Sequence, residues 1–209
     1  MLFRSMEHPS IIVDNFLGKS YSDRILDLTT GPQGFPWSLV KDVTYPGEPS
    51  KLDDLRLGFS NSPLRDGMAS EFFPLFLPML DSIQDLVKTE CDFIRLRFAL
   101  HLKDNSDRLY NTPHVDMYEN HYTALYYVND SDGDTYLFNQ YDRPIPGSSF
   151  IERQHKIKVQ NYTVNQKITP KQNKLLVFDG HQLHASSHPK ESPFRVVLNI
   201  NFTTKDPIF

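Results

Sequence analysis

The sequence predicts a mainly β domain, either a sandwich or a barrel, with helices packed on one of its sheets. Segments with apolar residues at helical spacing come first, and from residue 93 onward short runs alternate apolar and polar residues. Turn-rich pieces such as "NDSDGD" separate these runs. A chain in which helices precede many short strands usually folds with the helices against one sheet.

The first part of the chain contains one predicted strand and two predicted helices. "SIIVDNFL" (10–17) has the composition of a strand, and "SYSDRILDLTT" (20–30) predicts a short helix. A second helix is predicted within 69–90, where Pro74 and Pro78 make its start irregular. The residues that recur there at helical spacing are Phe76, Leu80, Ile83 and Leu86 or Val87.

The later part predicts six strands. "FIRLRFALHL" (93–102) places its apolar residues on one face and Arg95, Arg97 and His101 on the other. We expect the two arginines to lie on a solvated face, although they could also meet an acidic or polar substrate. The five further strands are predicted at 121–129, 134–139, 156–164, 174–180 and 194–202.

The last predicted strand has two useful faces. One is wholly apolar and suits packing on the helices: Phe194, Val196, Leu198, Ile200 and Phe202. The other is mixed, as the interior of a barrel that holds a polar ligand would be: Arg195, Val197, Asn199 and Asn201.

Length and composition narrow the classes of protein. We expect the 209 residues to form a single domain over 1–209, with 1–92 supporting a core at 93–204. The net charge of -4 argues against a nucleic-acid partner. The single cysteine, Cys91, excludes an internal disulfide and a cysteine-cluster zinc site. Without a secretory signal or a run approaching the ~20 apolar residues of a membrane helix, a cytoplasmic location and no membrane partner are expected.

The segment "NTPHVDMYENHY" (111–122) carries the first sign of a metal site. In extended chain, His114 and Asp116 point to the same side and can present a nitrogen and an oxygen to one point. Two histidines and one carboxylate leave three coordination positions open, which is typical of non-haem iron(II) enzymes that activate oxygen. Three histidines on a later segment could complete the set: His181, His184 and His188.

Three motifs together resemble a known family. "HVD", "KLLVFDG" followed by "HAS", and "RVVLNINF" are similar to the iron(II)/2-oxoglutarate-dependent oxygenases, in particular their prolyl-4-hydroxylase-like branch. The resemblance covers about 93–204 and is weaker at "IIVDNFL". It implies a double-stranded β-helix (jelly roll) with the N-terminal helices packed on one sheet.

The resemblance also assigns roles to residues. It implies that His114, Asp116 and His184 hold iron(II), because the family's distal histidine usually opens "HAS", and it leaves His181 and His188 around the site or on the surface. Arg195 would bind the distal carboxylate of 2-oxoglutarate with paired charge-assisted hydrogen bonds. Tyr126 matches a tyrosine that bonds the same carboxylate in some relatives, with plain packing as the equal alternative.

The implied reaction is hydroxylation of an unactivated C–H bond with 2-oxoglutarate and O2 as cosubstrates and release of succinate and CO2. The implied substrate is a prolyl or other amino-acid side chain in a peptide or protein, or else a free amino acid or other small molecule. Related halogenases lack the carboxylate, so Asp116 favours hydroxylation. A non-catalytic, cupin-like metal-binding jelly roll and a zinc hydrolase remain the alternatives. The only tryptophan, Trp37, is expected to pack in the core although it could also wall the substrate cleft.

Overall fold

The computed structural model describes residues 9–41, 57–143 and 161–209, which form two helices and eleven strands. The helices are α1 (Lys19–Thr30) and α2 (Leu77–Val87), the second preceded by a 3-10 turn at Phe73–Phe76. The strands are β1 (Ser10–Val13), β2 (Ser38–Val40), β3 (Gly58–Arg65), β4 (Met68–Ala69), β5 (Cys91–Leu102), β6 (Tyr122–Tyr127), β7 (Thr135–Tyr141), β8 (Val164–Ile168), β9 (Lys174–Asp179), β10 (Gln182–Ser186) and β11 (Phe194–Thr204).

The strands form two antiparallel sheets. The larger has the order β1-β9-β6-β11-β5-β3-β2, with β4 on β3, and the smaller has the order β10-β7-β8. Apolar residues of both sheets meet in one buried cluster, which includes Leu125, Tyr127, Leu137, Ile168, Leu176, Phe178 and Val197. The predicted mainly β, jelly-roll architecture is therefore confirmed.

The helices cover the other face of the larger sheet. Ile25 of α1 and Ile83 of α2 lie in one core with Leu198 and Ile200 of β11, so the predicted apolar face of the last strand packs as expected. Trp37 packs edge-on against Phe98 with its ring centroid 6.3 Å away, which confirms its packing role. The mixed face of β11 is thereby left to face the smaller sheet.

Four strands are absent from the sequence prediction: β2, β3, β4 and β10. The sequence of β3, "GFSNSPLR", contains Pro63 and lacks apolar alternation, and pairing with β5 supplies the stability that its own pattern does not. The strand predicted at 156–164 falls mainly outside the described residues, and β8 begins at its last position, Val164.

Neither described helix is long and apolar enough to cross a membrane.

Candidate active site

A short bridge between two segments positions the predicted metal ligands. The backbone N–H of His114 donates to the carbonyl of His184 at 3.0 Å, and that of His184 donates back to His114 at 3.0 Å. Asp116 follows two residues later, on the side that an extended chain predicts. Ligand atoms of His114, Asp116 and His184 all lie within 4.8 Å of one another. The structure thus brings together the three residues that the resemblance selected.

Backbone carbonyls fix the orientation of both imidazoles. His114 Nδ1 lies 3.0 Å from the carbonyl oxygen of Thr112, and His184 Nδ1 lies 3.2 Å from that of Gln182. A carbonyl only accepts, so each Nδ1 carries the proton and each Nε2 keeps its lone pair, as in most metal-binding histidines. Burial lowers the pKa of His184 to about 4 although Asp116 opposes this, so its imidazole is neutral at neutral pH.

The Asp116 carboxylate is held from several sides. Arg95 Nη2 donates to Oδ1 at 2.9 Å. Oδ2 accepts hydrogen bonds from Asn199 Nδ2 at 2.9 Å, Asn201 Nδ2 at 3.1 Å and Thr123 Oγ1 at 3.2 Å. Burial favours the protonated acid, but Arg95, the two histidines and Asn199 outweigh it and hold the pKa of Asp116 well below its ordinary value. The group is therefore an anion in a fixed orientation.

This donor set fits a divalent metal ion of intermediate softness. It offers two imidazole nitrogens and one carboxylate oxygen, and Asp116 Oδ2 lies 3.6 Å from His184 Nε2, close enough for both to bind one ion. Two histidines and one carboxylate are the usual ligands of non-haem iron(II) in enzymes that use oxygen.

Arg195 is a buried cation that has no anionic partner in the part of the chain that the structure describes. The residue is 2% exposed, and its guanidinium forms no ion pair with any carboxylate in the described ranges. Nη2 donates to Thr135 Oγ1 at 2.9 Å, Nη1 lies 3.5 Å from His101 Nδ1, and Nε has no partner there. Tyr127 and Asp134 favour the charged guanidinium at longer range, but neither forms an ion pair with it. A buried guanidinium with an unused donor therefore keeps the capacity to bind an anion.

One pocket joins the metal ligands to Arg195. It encloses about 610 Å³, part of which is open to solvent, between β5 and β11 of the larger sheet and β10 of the smaller. Its lining residues include the three candidate ligands, Arg97, Ala99, His101, Leu125, Thr135, Arg195, Val197 and Asn199.

Tyr126 does not line this pocket, so of its two predicted roles the structure shows packing and not contact with the cosubstrate site. It pairs with Leu198 and lies in the core beneath the helices, where its hydroxyl donates to Ser22 Oγ at 3.0 Å. Tyr127 pairs with Val197 and faces the pocket side, with its ring centroid 5.9 Å from the Arg195 guanidinium carbon. Its hydroxyl donates to Thr135 Oγ1 at 2.9 Å. Residues directly opposite each other on paired strands point to the same face of the sheet. The apolar face of β11 includes Leu198 and the mixed face includes Val197, so the strand pairing assigns Tyr126 to the core and Tyr127 to the pocket side.

Arg95 and Arg97 also depart from the expected solvated face. Arg95 is bound to Asp116 and also donates through Nε to Asn201 Oδ1 at 2.8 Å. Arg97 lines the pocket. The sequence analysis kept contact with a substrate only as the alternative for these two arginines. It did not single out Thr123 or Thr135, because no sequence pattern marks their hydrogen bonds to Asp116 and Arg195.

The two other candidate histidines lie away from the metal ligands. His181 Nε2 bonds Asn120 Oδ1 at 3.1 Å, and its ring centroid lies 5.5 Å from that of His121. His188 stacks on His101 with centroids 5.1 Å apart, behind Arg195. Both are buried rather than on the surface.

No protein-family model matches the chain, and no curated protein matches it in sequence. Solved structures do match. A Burkholderia pseudomallei oxidoreductase of the 2OG-Fe(II) oxygenase family has a TM-score of 0.62 and 13% identity, covering 93% of this chain and 84% of that one. A prolyl hydroxylase from Trichoplax adhaerens, solved with a peptide of hypoxia inducible factor, has a TM-score of 0.58 and 16% identity, with coverages of 94% and 84%. The epimerase SnoN of nogalamycin biosynthesis, non-haem and α-ketoglutarate-dependent, has a TM-score of 0.60 and 10% identity, with coverages of 95% and 79%.

This chain has the fold of the iron(II)/2-oxoglutarate oxygenases. In that oxygenase fold the described pocket lies between the two sheets, with His184 supplied by the smaller sheet and Arg195 by the larger. The similarity includes prolyl hydroxylases and an enzyme of small-molecule biosynthesis alike.

Proposed function

We propose that the protein is an iron(II)- and 2-oxoglutarate-dependent dioxygenase that hydroxylates an unactivated C–H bond. The observation that carries this proposal is the presence, in one pocket, of a two-histidine, one-carboxylate cluster and the buried, unpaired Arg195. A site that bound only a metal would not need a buried guanidinium. A dicarboxylate that binds the metal at one end and Arg195 at the other satisfies both features.

The residues present fit both ligands. His114 and His184 would bind iron(II) through Nε2, and Asp116 through a carboxylate oxygen that its amide and guanidinium neighbours keep oriented. When bound, the iron would supply oxygen activation coupled to the conversion of 2-oxoglutarate to succinate and CO2. Arg195, held by Thr135, would bind the distal carboxylate of 2-oxoglutarate.

The apolar wall of the pocket would limit water at the reaction centre. Ala99, Leu125 and Val197 line the pocket, and Leu125 and Val197 belong to the buried cluster between the sheets. A dry wall strengthens the electrostatic contacts of the cosubstrate and protects reactive species from side reactions.

For the substrate we propose a prolyl or other amino-acid side chain in a peptide or protein, with a free amino acid or another small molecule as the alternative. Similarity to a prolyl hydroxylase solved with a peptide supports the first, and similarity to SnoN supports the second. The single domain over 1–209, with its core at 93–204, and the cytoplasmic location are likewise proposals.

Anaerobic titration of the iron(II)-loaded protein with 2-oxoglutarate tests the function. Bidentate binding of the cosubstrate to iron(II) should produce a weak charge-transfer band in the visible. In Arg195→Ala the midpoint of the titration should rise by about one hundred-fold, since a charge-assisted bidentate contact contributes about 3 kcal/mol. Iron binding without any band in the wild type would contradict the proposal and favour a metal-binding jelly roll.

A further inference from the structure

Arg97 is a second arginine on the pocket wall, and no described residue forms a hydrogen bond or ion pair with it. It lies on the inward face of β5, directly opposite Asn199 of β11, and lines the pocket beside Asp116. Within 9–41, 57–143 and 161–209 it makes no hydrogen bond or ion pair, whereas its neighbour on the same face, Arg95, makes both. Burial and the charge of Arg95 lower the pKa of Arg97, against the effect of Asp116, which indicates a cation held partly out of water.

The described residues leave this charge uncompensated. Among the described residues, Asp116 is the only carboxylate that lines the pocket, and its oxygens already accept four hydrogen bonds in addition to facing the metal site. The negative charges of Asp116 and of the two carboxylates of 2-oxoglutarate do not balance the positive charges of iron(II), Arg95, Arg97 and Arg195. A loaded pocket would therefore remain electropositive at Arg97.

Position along the strands separates Arg97 from the cosubstrate site. Arg195 pairs with His101, and Asn199 pairs with Arg97, so the two arginines lie four residues apart along the sheet, which corresponds to about 13 Å of strand. In the proposed function, Arg195 and the metal account for both carboxylates of 2-oxoglutarate. Neither is left for Arg97.

We infer that Arg97 binds a carboxylate of the primary substrate, so that the substrate is an anionic compound such as a free amino acid or a peptide with an acidic group near the hydroxylated carbon. This inference rests on the proposed function and narrows its substrate. A planar guanidinium beside the metal site would both attract such a molecule and fix its orientation by paired hydrogen bonds.

Nuclear magnetic resonance of arginine side chains tests the inference without a known substrate. In the 15N-labelled full chain, Arg97→Gln and Arg195→Lys identify the two Nε–Hε signals by their disappearance. With 2-oxoglutarate at saturation, acetate should move the Arg97 signal saturably, and acetamide, its neutral counterpart, should not. Arg97→Gln should weaken acetate binding about ten-fold, the size of one hydrogen bond to a charged group.

The control is Arg65→Gln, since Arg65 lies within electrostatic range of Arg97 but forms an exposed ion pair with Asp66. It should leave acetate binding within about two-fold of the wild type, because an exposed charge contributes little. A loss of acetate binding in Arg65→Gln equal to that in Arg97→Gln would show diffuse attraction only, and would overturn the inference. So would an Arg97 signal that ignores acetate.

Two further outcomes separate this inference from the proposed function. If 2-oxoglutarate itself moves the Arg97 signal and acetate competes with it, Arg97 binds the cosubstrate and the substrate assignment is wrong. If 2-oxoglutarate leaves the Arg195 signal unmoved, the proposed function fails, whatever acetate does at Arg97. Succinate release in the presence of amino acids and acidic peptides, compared with their amides, then checks the consequence: the acids should stimulate turnover and the amides should not.

Discussion

Tyr126 and Tyr127 are neighbours on β6 whose side chains lie on opposite faces of the larger sheet. The Tyr126 hydroxyl donates to Ser22 and more weakly to Asn173, and the Tyr127 hydroxyl donates to Thr135, so Tyr→Phe removes a buried hydroxyl on each face of the sheet. Tyr127→Phe should weaken 2-oxoglutarate binding about five-fold. The variant removes the hydrogen bond from Tyr127 to Thr135, and Thr135 in turn accepts the hydrogen bond that orients Arg195. Tyr126→Phe should leave that affinity unchanged and lower the free energy of unfolding by about 1 kcal/mol.

Calorimetric titration with 2-oxoglutarate and urea denaturation of both variants provide the two readouts. The opposite pattern, with affinity lost only in Tyr126→Phe, would return Tyr126 to the cosubstrate site. Wild-type affinity in both variants would mean that the hydrogen bond from Tyr127 to Thr135 does not help to orient Arg195.

Asp116 is the residue on which metal binding should depend most sharply. Asp116→Ala removes a ligand and also leaves Arg95 partly buried without its carboxylate partner. We expect hydroxylation to be abolished, and iron affinity to fall by at least about ten-fold, as with other losses around metal ligands. Metal titration and substrate-dependent succinate release measure the two effects. Robust turnover by this variant would remove Asp116 from the ligand set.

For single residues, the sequence predicted the site residues that lie in short motifs, but not the contacts between residues that are distant in the chain. "HVD" and "HAS" each place a candidate ligand within a few residues, and the structure brings these ligands within 4.8 Å of one another. Arg95 and Asp116 are separated by 21 positions in the chain, and no local pattern encodes their contact. The motif match points to Tyr126 but does not state which strand face meets the pocket, and Tyr127 is the tyrosine on that face.

Among the elements, β11 shows how far alternation carries a prediction. Its two faces were correctly divided between helices and pocket, because a period of two fixes opposite directions for neighbouring side chains. β3 was missed because its stability comes from pairing with β5 rather than from its own composition. The predicted helices at 20–30 and within 69–90 are confirmed, and α2 buries Leu80 and Ile83 of its predicted apolar face.

Helix α2 should act on stability and not on the site. Ile83 is fully buried against the larger sheet, so Ile83→Ala should lower the free energy of unfolding by about 3 kcal/mol through lost contacts and the remaining cavity. Leu77, on the same helix but 45% exposed, is the matched control, and Leu77→Ala should change stability by about 0.5 kcal/mol or less.

Urea denaturation measures both variants, and 2-oxoglutarate titration of the folded fraction should give the wild-type midpoint in each. A shifted midpoint in Ile83→Ala would show that the helical support reaches through the sheet to the pocket.

For the whole molecule, the pocket exists only where the two sheets meet. Thr135 and His184 come from the smaller sheet, whereas Arg195 and the wall residue Leu125 come from the larger. Local alternation of apolar and polar residues predicted most of the strands. Which strands pair, and which side chains meet across the pocket, depends on contacts between distant parts of the chain. The pairing of the strands could be predicted only from the resemblance to a known fold. For the same reason, the residues that contact Asp116 and Arg195 in the pocket were identified only in the structure.

Packing of the sheets also buries His101 beside Arg195, and this should make the stability of the metal-free protein depend on pH. Burial first, and then the charge of Arg195, hold the pKa of His101 well below its ordinary value, with His188, Arg97 and His114 adding to the effect. In the unfolded chain the same histidine binds a proton near pH 6.5. The unfolded state therefore gains a proton first as pH falls, so the stabilising contribution is complete above about pH 6.5 and is lost below it, at up to about 1.4 kcal/mol per pH unit.

His101→Gln isolates this contribution, because glutamine keeps an acceptor for Arg195 and has no proton to gain. Between pH 7 and 5, urea denaturation of the wild type should show the steeper fall in unfolding free energy, by up to about 2 kcal/mol more than the variant over that interval. Parallel pH profiles for the two proteins would mean that His101 takes up a proton in the folded state as readily as in the unfolded one. The Arg195 pocket would then tolerate a second positive charge, which conflicts with a site that holds its guanidinium ready for an incoming carboxylate.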